Sequence, residues 1–170
     1  MSKAFTRESD DAPEPRPQAR AVSGLPPGTK NYMTASGARR LQEELKRLVE
    51  VERPQISSHA ENAEARHKLQ ALDQRILRLQ ESIQSAVIVE PPPKPWEQVR
   101  FGATVSVRDG CGNESSYRIV GVDEIDFDQN WASWISPIAK ALLNARRGET
   151  VRFKFPSGEA EFEIMNIDYE

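Results

Sequence analysis

The sequence predicts an α+β protein, in which a helical first half is followed by a β-rich second half. Apolar residues recur every three or four positions before residue 90, which is the period of an amphipathic helix. Four prolines then fall between positions 91 and 95. Beyond them apolar and polar residues alternate, as in a half-buried strand. A change of period across a proline-rich break indicates two separately packed units.

Composition limits the classes of protein that are possible. The chain has 170 residues, which allows one large or two small domains, and its net charge of -3 gives no general attraction for nucleic acid or anionic membranes. A single cysteine, Cys111, excludes an intrachain disulfide and fits a reducing cytoplasm. No apolar run approaches membrane-spanning length, and the N-terminus lacks the apolar core of a signal peptide. We therefore expect a cytoplasmic protein without a membrane partner.

The first 31 residues form a tail rich in proline, charge and small polar residues. Such a segment buries too little apolar surface to offset its ordering entropy. Residues 1–31 are therefore predicted to be disordered.

Residues 32–89 are predicted to form a helical hairpin. Thr34 is a candidate N-cap for the first arm, and Pro54 should kink or weaken that arm. The second arm carries a heptad seam, which favours pairing with one partner helix as an antiparallel coiled coil. The first-arm seam consists of Leu41, Leu45 and Leu48, and the second-arm seam of Leu69, Leu72, Ile76, Leu79 and Ile83.

Antiparallel pairing of the seams places the fold-back near Asn62, for which we predict a left-handed backbone. Glu61 and Glu64 then lie at the tip, and their spacing would put both carboxylates on one helical face. They are candidate metal-facing acids, but a solvated helix turn is the favoured interpretation, because exposed charges need no special role. His59 and His67 lie nearby without an evident third ligand, so no protein-borne metal site is predicted. The expected neighbours are Leu45 with Leu79, Leu48 with Ile76, and Ile56 with Leu69.

Residues 90–97 are predicted to be a stiff proline-rich linker, and residues 98–170 a small antiparallel sheet packed on one helix. The turn "DGCGNE" indicates a hairpin, "WASWI" a third strand, and "PSGE" a terminal hairpin. The helix should cover "SPIAKALLNARRG", with Ser136 as cap, Pro137 at the first position and Gly148 past the end. Trp131 and Trp134 should face different sides of their strand, so one is expected to be exposed to a partner.

Several sequence words occur in an order that resembles the Gre transcript-cleavage factors of bacterial RNA polymerase, closest to the GreB type. They are "KNYMTASGARRLQEELKRLVEVERPQI", "FGATVSV", "YRIVGVDEID", "WISPIAKALLNARRGETV" and "PSGEAEFEI". The resemblance covers about residues 30 to 170. The fold that it implies is an antiparallel coiled coil joined to an FKBP-like domain.

The resemblance also implies a mechanism. The C-terminal domain of such factors docks on the rim of the polymerase secondary channel, here through the neighbourhood of Asp123, Glu124, Ser136 and Pro137. The coiled coil enters the channel, where acidic tip residues help to hold Mg²⁺ and water at the polymerase active site. The polymerase supplies the catalytic centre, so the isolated chain is not expected to be an enzyme or to bind a cofactor. We expect a monomer that meets nucleic acid only through the polymerase.

The tip departs from the family pattern. Ser58 occupies the position of the family aspartate, the preceding glycine is missing, and Glu61 remains within "ENA". The hairpin is also shorter by about a dozen residues, nearly one heptad in each arm, which would pull the tip back by roughly 10 Å at 1.5 Å per residue.

Two mechanisms remain open within the family. Glu61, with or without Glu64, would stimulate cleavage, or the arm would occupy the channel without cleavage and regulate or compete with other Gre factors. The missing aspartate and shorter arm slightly favour the second. The rival classes are an FKBP-like chaperone or peptidyl-prolyl isomerase and a self-associating scaffold.

Overall fold

The computed structural model describes residues 25–58, 62–155 and 158–170. It confirms the α+β class, with a helical N-terminal part followed by a curled β-sheet domain. Most of the predicted tail, His59 and Glu61 lie outside the described residues. Within those ranges no helix has both the length and the apolar character needed to cross a membrane.

The first arm consists of α1 (Ala35–Arg47), a π-helical turn (Leu48–Glu52) and α2 (Arg53–Ser57). Thr34 caps α1 as predicted: its backbone is extended and its hydroxyl oxygen accepts from the Gly37 N–H at 3.0 Å. This bond satisfies one of the amide groups that a helix leaves unpaired at its start.

The π-helical turn lies immediately before Pro54, where the sequence predicted a kink or a weak point. The Arg53 N–H donates to the Leu48 carbonyl, an i→i−5 bond. Leu48 and Ile56 are eight residues apart, whereas two α-helical turns take about 7.2 residues. A π turn takes nearly one residue more than an α turn, so it returns Ile56 to the face that carries Leu48. Both side chains accordingly join one apolar cluster.

The second arm is one helix, α3 (Ala63–Ser85), which packs against the first arm through two apolar clusters. The predicted pair Leu48 and Ile76 is confirmed, because both are buried in the same cluster. Leu45 and Leu79 pack against that cluster as well. The cluster nearer the base consists of Met33, Ala38 and Leu41, with Leu79, Ile83 and Ala86 packed against it.

Two short strands join the arms at their base, and the helical pattern did not predict them. Strand β1 (Asn31–Thr34) precedes α1, strand β2 (Ala86–Val89) follows α3, and the two pair in parallel with Asn31 opposite Ala86. The backbone therefore holds together the start of one arm and the end of the other.

The β domain is a five-stranded sheet of order β5-β4-β3-β7-β6. The predicted all-antiparallel sheet is wrong at one edge, because β5 runs parallel to β4. The chain between them passes through a 3₁₀ turn (Val122–Glu124) before it returns, which makes a crossover rather than a hairpin. The strands are β3 (Thr104–Asp109), β4 (Glu114–Val120), β5 (Trp131–Ser133), β6 (Thr150–Phe155) and β7 (Gly158–Asp168).

Helix α4 (Pro137–Leu142) is shorter than predicted, although Ser136 caps it and Pro137 opens it as expected. The chain leaves the helix because the Asn144 N–H donates to the Val99 carbonyl at 2.8 Å, and the Val99 N–H donates to the Ala145 carbonyl at 2.9 Å. Pairing with the segment around residue 99 thus replaces the last predicted helical turns. Gly148 does not terminate α4.

One apolar core fills the β domain between the sheet and α4. Residues 91–97 contain no helix or strand, but Trp96 packs against this core with its ring centroid 5.2 Å from that of Tyr169. The fully buried core residues include Val99, Val105, Val107, Ile119, Ala139 and Leu142.

Truncation of the arm core should destabilise the helical half selectively. Leu48 is 0% exposed and Leu77 is 55% exposed. We expect Leu48→Ala to lower the free energy of unfolding by about 2–5 kcal/mol, because it leaves a cavity. Leu77→Ala is the matched control and should change it by less than about 0.5 kcal/mol. Urea unfolding followed by helical circular dichroism measures both, and equal effects of the two variants would show that the seam is not the core of the arm.

Candidate functional site

Asn62 lies at the tip of the arm and caps α3, which corrects the prediction of a left-handed backbone there. Its φ and ψ are −95° and 157°, an extended conformation. Its side-chain oxygen accepts from the Ala65 N–H at 2.6 Å. An N-cap must be extended to place its side chain over the first helical amides, so capping rather than turn formation determines its conformation.

Of the two predicted tip acids, the structure describes Glu64, whereas Glu61 lies outside the described residues. The placement of both carboxylates on one helical face therefore stays a prediction. Glu64 is in the first helical turn, and its carboxylate lies 2.6 Å from the Lys68 ammonium. The hydrogen bond from Lys68 and the charge of Lys68 hold the pKa of Glu64 below its ordinary value. Glu64 is therefore an ionised, exposed carboxylate that already has a cation beside it.

Ser58 lies at the C-terminal end of α2, exposed to solvent, and its hydroxyl donates to the Gln55 carbonyl at 2.8 Å. It cannot supply the charge that an aspartate would bring to this position. Across residues 25–58, 62–155 and 158–170, no three His, Cys, Asp or Glu side chains converge on a point that could hold a metal ion.

Glu124 and Asp123 face the base of the arm rather than solvent. The Glu124 side chain is 1% exposed, and its Oε2 accepts from the Thr34 N–H and the Gly121 N–H, both at 2.9 Å. Asp123 Oδ2 accepts from the Asn31 amide at 3.0 Å and the Ser82 hydroxyl at 2.8 Å. In this conformation the Glu124 carboxylate is buried and hydrogen-bonded within the chain, so its predicted contact with a partner stays a prediction.

The two tryptophans of the β domain differ from expectation. Neither Trp131 nor Trp134 is exposed; both are half-buried. The guanidinium carbons of Arg40 and Arg118 each lie 4.8 Å from the Trp131 ring centroid, within the range of a cation–π interaction. Trp134 packs edge-on against Tyr32 with centroids 5.4 Å apart. Both rings therefore belong to the contact between the arm and the β domain.

Pro137 is exposed and Ser136 is half-buried at the start of α4. The Ser136 hydroxyl oxygen accepts from the Ala139 N–H at 3.3 Å. Ser136 therefore has a structural role as a cap, and this role leaves a contact with a partner possible.

Sequence reasoning missed Phe127, the most exposed large hydrophobic residue in the part of the chain that the structure describes. It is 89% exposed in the loop that follows the 3₁₀ turn, and the neighbouring Ile125 is also exposed. The loop is fixed by Asp126, whose carboxylate accepts from the Asp128 and Gln129 N–H groups at 3.0 and 3.2 Å. The sequence "DEIDFDQN" indicates that Phe127 is exposed, because an aromatic residue between two aspartates fits poorly in a buried strand.

Comparison with known proteins identifies the family. A family described as transcription elongation factor, N-terminal (GreA/GreB), matches residues 31–88, and one described as transcription elongation factor, GreA/GreB, C-term, matches residues 93–169. The chain belongs to the GreA/GreB family of transcription elongation factors. The two matches meet between the arm and the β domain, so both halves of the fold have family counterparts.

Individual relatives of this GreA/GreB family chain are similar over nearly their full length. It is 39% identical over 155 residues to transcription elongation factor GreB of Neisseria meningitidis serogroup A, covering 83% of this chain and 95% of the relative. It is 39% identical over 156 residues to transcription elongation factor GreA of Alkalilimnicola ehrlichii, covering 83% and 99%. A crystal structure of Gfh1, a GreA factor homolog of Thermus thermophilus, matches with a TM-score of 0.40 and 24% identity, covering 82% of this chain and 99% of that chain.

The alignments also contain a difference in length. For the Neisseria GreB, 83% of 170 residues is about 141, so about 14 of the 155 aligned positions have no counterpart in this chain. For the Alkalilimnicola GreA, about 15 of the 156 aligned positions have no counterpart in this chain. Each of these two relatives therefore has about 14 or 15 aligned positions without a counterpart in this chain.

Loss of the Asn62 cap should loosen the tip. We expect Asn62→Ala to cost about 1 kcal/mol, because the Ala65 N–H loses its acceptor at the start of α3. Hydrogen exchange of the first-turn amides of α3 measures the change. Asn62→Asp is the control and should retain protection, because aspartate caps helices equally well. Unchanged protection in Asn62→Ala would mean that the cap does not hold the tip.

Proposed function

We propose that this GreA/GreB family chain binds bacterial RNA polymerase in the cytoplasm as a monomer and modulates elongation through the secondary channel, with little or no stimulation of transcript cleavage. In this proposal the arm is a coiled coil that enters the channel, and the β domain is an FKBP-like module that docks at the rim. The chain carries no catalytic centre of its own, and any Mg²⁺ involved belongs to the polymerase. Membership of the family supports the partner.

The length difference from the two relatives carries the weak-cleavage part of the proposal, which assigns the missing positions to the arm. The described α3 has 23 residues, which corresponds to about 34 Å of helix. If the missing positions are divided between the arms, each loses about seven residues, or roughly 10 Å of reach. A carboxylate must approach Mg²⁺ to about 2.1 Å, so such a deficit prevents direct coordination.

The chemistry of the tip supports the same conclusion. Ser58 provides a hydroxyl where the family pattern has an aspartate, which removes one negative charge. Glu64 is already beside Lys68, although an exposed pair of this kind contributes only about 0–1 kcal/mol and would not by itself exclude a metal ion. Reach therefore limits this tip more than the pairing of its acids does.

Phe127 is the strongest candidate for a polymerase contact on the β domain. Its side chain is 89% exposed on a hydrogen-bonded loop, and large aromatic residues are enriched among the side chains that contribute most to protein contacts. Asp126 and Asp128 flank it and favour a basic partner surface. This loop lies directly after Asp123 in sequence, so it refines the predicted docking neighbourhood rather than replacing it; Ser136 and Pro137 remain candidates there.

A backtracked elongation complex tests the cleavage proposal. Incubation with this protein and Mg²⁺ should shorten the RNA little on a gel. Glu61→Ala and Glu64→Ala should change both cleavage and polymerase binding little, because the exposed tip contributes little to docking. Rapid shortening that disappears in Glu61→Ala would overturn the proposal and restore a cleavage role for the tip.

A variant with longer arms distinguishes the effect of arm length on cleavage from the effect of negative charge at the tip. Ser58→Asp alone should remain a poor stimulator, whereas one heptad inserted into each arm together with Ser58→Asp should increase cleavage. Strong cleavage by Ser58→Asp at the present length would show that charge, not reach, is limiting.

The docking surface is tested by binding to core polymerase. Phe127→Ala should weaken binding about 30-fold, since a hot-spot aromatic contributes about 2 kcal/mol. Ile88→Ala is the control, because Ile88 is an exposed apolar residue on β2 at the base of the arm. Equal affinity of Phe127→Ala and the unmodified protein would exclude this loop from the interface.

A further inference from the structure

The contact between the arm and the β domain is centred on one buried carboxylate. Glu124 Oε2 accepts from the Thr34 and Gly121 N–H groups, and Glu124 Oε1 accepts a short hydrogen bond from the Thr34 hydroxyl. Thr34 is also the N-cap of α1. The helix that forms the first arm therefore begins at the atoms that Glu124 binds.

Two glycines permit this close approach, one from each side of the contact. A Cβ on Gly37, in the first turn of α1, would overlap the Glu124 carboxylate. A Cβ on Gly121 would overlap the Tyr32 carbonyl oxygen. Neither glycine has a left-handed φ, so space rather than backbone conformation requires them.

Further hydrogen bonds connect the arm with the β domain around Glu124, and they point in different directions. Arg40, one turn along α1, donates to the Glu124 carbonyl at 3.2 Å. Arg118 of β4 donates to the Ser36 hydroxyl at 2.9 Å. Asp123 accepts from Ser82 of α3, so both arms are attached to the segment that contains Glu124. Bonds from several directions restrict rotation of the arm, whereas an apolar contact alone would permit sliding.

We propose that Glu124 is a positioning residue that fixes the direction in which the helical arm leaves the β domain. Its carboxylate lies at the N-terminal end of α1, where the helix dipole favours a negative charge, and three donors from two elements satisfy it. Thr34, Gly37 and Gly121 complete the contact. The importance of this direction for transcription rests on the function proposed above, but the direction itself does not.

Spin labels measure the direction in the full-length protein. Cys111 is the only cysteine, is exposed, and lies in the turn between β3 and β4. Gln74→Cys adds an exposed site on α3. Pulsed electron paramagnetic resonance between the two labels should give one narrow distance distribution. In the same background, Glu124→Ala and Gly37→Ala should broaden or shift it.

Two controls match these variants. Asp128→Asn removes an exposed carboxylate four residues after Glu124, and Gln42→Ala places an alanine at an exposed position of α1. Both should keep the narrow distribution. Gly37→Ala also guards against misfolding, because alanine favours helix over glycine and any disturbance must then come from the contact.

The outcome distinguishes positioning from simple stabilisation. A stabilising role would lower the thermal unfolding midpoint of Glu124→Ala and leave the distance distribution of both variants unchanged, and that result would overturn the proposal. If Glu124→Ala does not fold, Gly37→Ala alone decides by the same criterion.

Transcription assays provide the second readout. Variants with a disturbed distance should bind polymerase as before and lose their effect on elongation. An undiminished effect would show that arm direction is not used, and would overturn the functional half of the inference. If the unmodified protein has no effect on polymerase, the proposed function fails, whereas the distance measurement still decides whether Glu124 sets the direction.

Discussion

The hydrogen bonds that Glu124 accepts connect two units that otherwise have independent cores. The arm packs around Leu48 and Met33, and the β domain around the residues between its sheet and α4. A carboxylate without donors would be costly at such a depth. The donors come from Thr34 in the arm and Gly121 in the β domain, so the charge is satisfied only when the two units are in contact. The relative placement of the tip and of the Phe127 loop depends on this contact.

Local signals in the sequence predicted the elements of the fold well. The heptad seam predicted the packing of Leu48 on Ile76, and the Thr34 and Ser136 caps follow from residue preferences at helix starts. The missed features depend on partners far away in sequence. Strands β1 and β2 have only four residues each and are separated by more than 50 residues. The hydrophobic periodicity of the sequence does not predict a parallel pair between segments so short and so far apart. The shortened α4 has the same origin, because pairing with Val99 competes with the helix.

The candidate site was predicted less completely than the fold. Sequence patterns placed the fold-back near Asn62, but this residue satisfies two preferences, left-handed turn and N-cap, and only the start of α3 distinguishes them. Asp123 and Glu124 have the composition of an exposed acidic pair. Glu124 is buried and Asp123 half-buried, because their carboxylates accept from Thr34, Asn31 and Ser82, whose donors are 41 to 92 residues away. Residue type alone therefore does not distinguish a docking acid from one that joins two domains.

The π-helical turn of the first arm has a consequence for how such proteins can evolve. An insertion of a single residue in an α-helix rotates everything beyond it by about 100° and would turn the apolar face towards water. The turn at Leu48–Glu52 absorbs most of that rotation, and Ile56 still packs on the second arm. Pro54 makes the site tolerant, because the regular hydrogen bond is already lost there. The first arm therefore accommodates one additional residue without loss of packing, so the length of such an arm need not change in whole heptads.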